Sequence, residues 1–146
     1  MQTTPTSITF EEIRELLAAR FPIVAQGDTW FGFRWQMGEG RSLRFKLAMT
    51  SLSGEPRLLV MSPAAPERDL SAKKALEIGA AIGPSVVIEE GLYIVRQWLD
   101  LQVSTREDIE RAISLVADGV LRLQGSAVAK AGVRVSWIRP FANFAD

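Results

Sequence analysis

Histidine and cysteine are both missing from this sequence. Their absence removes Ser-His-Asp and Cys-His nucleophile systems, zinc sites built on either residue, iron–sulfur clusters and redox thiols. Disulfide staples go with them, so the fold must be held by packing. Seventeen basic residues balance seventeen acidic ones, which leaves no overall field to draw the chain onto nucleic acid or anionic lipid. No apolar run reaches membrane-spanning length. The opening MQTTPTSITF lacks the basic and apolar regions of a signal peptide, and the expectation is a cytoplasmic protein with no membrane partner.

What is present is an ordinary globular composition. The 146 residues, 47% hydrophobic and 23% charged, suit one domain with a real core, and no repeat or linker divides residues 1–146. Thr9 and Glu12 have capping-box spacing, with Ile8 and Ile13 set as a hydrophobic staple, and an apolar stripe runs from Phe10 to Phe21 before Pro22. Two alternating segments follow, 29–36 and 42–50, joined by MGEGR. A third strand, RLLVMSP, is expected to stop at Pro63. Residues 67–83 read as a second helix rich in small side chains, ended by Gly83-Pro84. A hairpin over PSVVI-EEG-LYIVRQWLDL comes next, then a third helix with Ser104 and Glu107 as capping box and Gly125 as exit. In the remaining tail, RVSWI reads as one further strand. The order helix, three strands, helix, two strands, helix predicts an α+β domain: a mainly antiparallel sheet with helices packed on it.

Few residues suggest chemistry. Gly38-Glu39-Gly40 lies between two strands with no helix behind it, which makes it a turn and no phosphate loop. Glu89-Glu90 sits in a turn, Glu11-Glu12 in the first turn of a helix where acids suit the dipole, and Lys73-Lys74 on a solvated helix side. The expectation is a non-enzyme. Strand alternation is more informative. Trp30, Arg34, Arg44, Lys46, Arg96 and Trp98 all fall opposite the core-facing positions of their strands, with Leu92 and Ile94 beside them. Tryptophan and arginine are what protein interfaces favour. The same mixture in Trp30, Arg34, Arg44 and Arg96 also suits a small ligand or single-stranded nucleic acid, a reading that the even charge disfavours for nucleic acid.

Three segments, ITFEEIRELLAAR, KKALEIGAAIG and VVIEEGLYIVRQWLDLQVSTREDIERAISLVADGVLRL, together resemble the class I type III secretion chaperones of the Tir-chaperone type and the related YbjN-type bacterial proteins. The resemblance covers residues 8–124 as a chaperone-like core and leaves 125–146 as a C-terminal extension. It implies a cofactor-free, cytosolic homodimer that holds a segment of a partner protein, for which the face read from alternation offers Trp30, Arg34, Arg44, Lys46, Ile94, Arg96 and Trp98. It also implies a subunit contact at or beside the second helix, at Ala75, Ile78, Gly79 and Ile82. Those chaperones are typically acidic, and this neutral chain with its arginine-bearing sheet face departs from them.

Overall fold

The computed structural model describes residues 8–38, 40–52 and 54–131. Helix α1 (Phe10–Ala18) is followed by β1 (Ile23–Gln26), β2 (Trp30–Gly38), β3 (Arg41–Leu52) and β4 (Glu55–Pro66). A 3-10 turn (Glu67–Asp69) leads to α2 (Ala72–Ala81), then β5 (Ser85–Glu89), β6 (Leu92–Asp100) and α3 (Arg106–Ala131). The strands form one antiparallel sheet in the order β1-β2-β3-β4-β6-β5. This is the expected α+β architecture.

Local chemistry explains most of the boundaries. The Thr9 N–H donates to Glu12 Oε1 at 3.1 Å and the Glu12 N–H to Thr9 Oγ1 at 3.2 Å, so α1 opens on its capping box. Glu90 (φ 51°) and Gly91 (φ 79°) both adopt left-handed backbone, as a two-residue turn between β5 and β6 requires.

Five expectations shift. Strand β1 was not anticipated: the four residues after Pro22 are too few to show a period. Strand β4 continues through Pro63 to Pro66, because its pairing with β3 ends at Met61 and a bulge lies between Pro63 and Ala65. Past Met61 a missing N–H interrupts no two-sided ladder. The second helix begins only at Ala72, where the Ser71 hydroxyl accepts from the Lys74 N–H, because buried Leu70 is held extended. Helix α3 is boxed one residue later than expected: Thr105 and Asp108 exchange N–H bonds, while Ser104 Oγ donates to the Asp100 carbonyl at 2.6 Å. The same helix runs on past Gly125, which does not take up left-handed backbone and so terminates nothing. RVSWI lies outside the described residues.

All three helices pack on one face of the sheet. Phe10, Ile13 and Leu17 of α1, Ala75 of α2, and Ile109, Val116, Val120 and Leu123 of α3 share a core with Phe31, Phe33, Phe45, Val60, Tyr93 and Val95. Aromatic stacking runs across it: Phe21 on Phe33 at 4.8 Å, and Phe33 on Phe45 at 4.9 Å. A second, smaller cluster of Met61, Leu92 and Ile94, flanked by Leu59 and Val87, contains strand residues only and occupies the other face.

Candidate functional site

Strand register fixes which side chains share that face, which carries no helix among the described residues. Directly paired residues project to the same side, and so do residues two apart along a strand. Trp30 pairs with Ala48, Ala48 with Leu59, and Leu59 with Trp98, which makes one row across four strands with a tryptophan at each end. The next row runs Gly32, Lys46, Met61, Arg96 and Ser85. Beyond it, Arg34 pairs with Arg44 on β2 and β3, and Pro63, Ile94 and Val87 align on β4, β6 and β5. All seven residues expected to meet a partner, Trp30, Arg34, Arg44, Lys46, Ile94, Arg96 and Trp98, therefore stand on one face.

Their environments differ. Trp98 is 40% exposed, whereas Ile94 is fully buried among its sheet neighbours. Lys46 Nζ lies 5.1 Å from the Trp30 ring centroid, a cation–π contact. Arg96 Nη1 lies 3.5 Å from Glu89, and Arg57 bridges Glu55 at 3.1 Å and Asp100 at 3.7 Å. Partial burial, then the charge of Arg34, lowers the Arg44 pKa from its ordinary value. The face is thus divided: cations with Trp30 over β2 and β3, and aliphatic residues with Trp98 over β4, β6 and β5.

Leu59, Met61 and Val87 were not singled out from the sequence. RLLVMSP carries apolar residues on both faces, so it shows no alternation from which a face could be read.

The α2 residues are placed differently. Ala75 is buried in the main core, Ile78 and Ile82 pack against that core, and a Cβ on Gly79 would lie 3.4 Å from Val86. These four seat α2 on its own sheet, while Leu76 on the opposite side is 73% exposed.

A cleft lined by Leu17, Arg20, Phe21, Trp35, Glu110, Ile113 and Ser114 holds about 60 Å³, well below what a metabolite occupies. Among the described residues no group of three or more acidic side chains is placed to hold a metal ion, and no helix is long and apolar enough to cross a membrane.

No family model and no curated protein matches the chain. Among solved structures it is similar to a chain of the HopA1–SchA chaperone–effector complex, with a TM-score of 0.56 and 14% sequence identity over 76% of this chain and 87% of that one. At that identity the likeness is one of fold.

Proposed function

We propose that this protein is a chaperone-like protein-binding module, non-enzymatic and cofactor-free, which works as a cytoplasmic homodimer and holds a segment of a client protein on the helix-free face of its sheet. The observation that carries this reading is the row Trp30, Ala48, Leu59 and Trp98, in which Trp98 is 40% exposed, beside a cluster of Met61, Leu92 and Ile94 that among the described residues packs with strand residues. Exposed tryptophan beside apolar and cationic groups is the make-up of an interface hot spot. The fold likeness to a chain from a chaperone–effector complex supports the same direction. For the subunit contact we propose α2, with Ala75, Ile78, Gly79 and Ile82 setting the helix close to its sheet and Leu76 reaching the second copy.

The test is selection of a random displayed peptide library on the purified protein and on the Arg96→Ala/Trp98→Ala double variant. Both proteins are expected to unfold cooperatively, and the peptides retained by the first should be lost by the second. A library that yields no binder, or binders held equally by both proteins, would sink the proposal. Light scattering over a dilution series tests the dimer separately, with Leu76→Arg expected to give the monomer mass.

A further inference from the structure

In the β1–β2 turn, Gly27 is not left-handed, unlike Gly38, Gly40, Gly54 and Gly91, so its backbone would accept a side chain. Space forbids one instead. A Cβ here would overlap the indole Nε1 of Trp30 and come within 2.9 Å of its Cδ1 and Cε2. The indole thus rests on bare backbone, and the Gly27 N–H donates to the Trp30 carbonyl at 2.9 Å. Arg14 of α1 holds the same turn, with its side chain only 17% exposed. Its Nη1 donates to Gln26 Oε1 at 3.0 Å, and its Nη2 to the Gly27 and Asp28 carbonyls at 3.0 and 3.2 Å. The guanidinium lies 5.3 Å from the Phe10 ring centroid and 5.7 Å from that of Phe31, both in the main core. A chain of contacts therefore leads from α1, on one side of the sheet, to a tryptophan of the other.

We infer that Gly27 and Arg14 are positioning residues for Trp30, which seat its indole before a client segment arrives. This rests on the protein-binding reading above. Immobilising a side chain at an interface is a usual cost of association, and an indole already seated has that cost behind it. The two residues divide the work. Gly27 supplies the space in which the ring lies against the turn. Arg14 supplies the rigidity, since one planar guanidinium ties three acceptors of that turn together. A lysine there would bring a single ammonium on a flexible stem and hold the turn less firmly. Helix α1 is thereby coupled to the row Trp30, Ala48, Leu59 and Trp98 at its β2 end.

The experiment uses peptides selected on the full chain, with every variant measured at a temperature where it remains folded. Gly27→Ala should weaken binding by about two- to tenfold, and Trp30→Ala at least as much. In the Trp30→Ala background Gly27→Ala should have no further effect, because the ring it would displace is gone. Arg14→Lys should show the same dependence on Trp30 with a smaller loss. The indole N–H resonance of Trp30, identified by its disappearance in Trp30→Phe, should move in Gly27→Ala while the other indole resonances stay in place. An equal loss from Gly27→Ala with and without Trp30 would overturn the inference, since the glycine would then act on the fold at large. An unmoved Trp30 resonance would overturn it too. Full affinity in Gly27→Ala or in Trp30→Ala, with binding still lost in Arg96→Ala/Trp98→Ala, would overturn it and leave the protein-binding reading standing. No binder at all would overturn both.

Discussion

Phe33 and Phe45 lie across the β2–β3 ladder with their rings 4.9 Å apart and within 3° of parallel, and the next pair on the opposite face is Arg34 with Arg44. The two faces of one strand pair thus oppose each other energetically. Inside, the stack and its burial hold the strands together; outside, two guanidiniums push them apart.

Replacing Arg34 by Gln should accordingly stabilise the folded chain, by roughly 0.2–1 kcal/mol, the usual scale of a cross-strand charge pair. The gain should be greatest at low ionic strength and shrink as salt screens the repulsion. Thermal unfolding of both proteins at low and high salt checks this. A lower midpoint for the variant at low salt would mean that Arg34 contributes more to the fold than the repulsion costs. A stabilised variant that also loses peptides selected on the parent chain would mark Arg34 as a residue kept for function at the expense of stability.

Among the described residues Tyr93 is the largest fully buried side chain, and its hydroxyl donates to the Leu70 carbonyl at 2.8 Å. That bond ties β6 to the extended residue before α2. Burial, then the charge of Glu67, raises the phenol above its ordinary pKa, so it remains a donor throughout the neutral range. Tyr93→Phe leaves a buried carbonyl short of its partner and should cost about 1–3 kcal/mol. Urea unfolding should show the midpoint falling with an unchanged slope, equally at pH 6 and pH 8.

How far the sequence could be read depended on whether a segment's two sides differ. Helix α3 has one buried stripe, and Ile109, Ala112, Ile113, Val116, Ala117, Val120 and Leu123 were all assignable to the core from spacing alone. Strands β2, β3 and β6 alternate, so the shared face of Trp30, Arg34, Arg44, Lys46, Arg96 and Trp98 was legible too. Strand β4 is apolar on both sides, which hid Leu59 and Met61 as members of that face. The direct pairing of Arg34 with Arg44 was beyond reach, because register depends on how two distant segments meet rather than on either alone.

Asp108 offers a test on the acid side. Its carboxyl is held below the ordinary 3.8, mainly by the Thr105 backbone N–H and then by the Thr105 hydroxyl, with Arg111 adding a smaller pull. A depressed folded pKa contributes stability that is present above the unfolded value and is lost as pH falls through the folded one. Asp108→Asn should therefore be less stable than the parent chain at pH 7, and the gap should narrow below about pH 4 as the parent loses its advantage. Denaturant midpoints measured from pH 7 down to pH 3 check the sign. A gap constant across that range would show that the hydrogen bonds act without the charge.

Two glycines of α3 should respond in opposite ways. A Cβ on Gly119 would come within 2.8 Å of Ile82 and 3.1 Å of Val95, where α2, α3 and β6 converge. A Cβ on Gly125 would meet nothing within 4 Å. Gly125→Ala should gain about 0.5–1 kcal/mol, since alanine loses less backbone freedom in a helix. Gly119→Val should lose about 1–3 kcal/mol, because Val95 is branched, buried and cannot turn aside without disturbing the inner face of β6. The same disturbance bears on function, for the neighbours of Val95 on β6 are Ile94 and Arg96 of the outer face. Affinity for peptides selected on the parent chain, measured at a temperature where Gly119→Val remains folded, should therefore fall, while Gly125→Ala keeps the parent value. Equal affinity in all three proteins would mean that the outer face holds its shape independently of how closely α3 is seated.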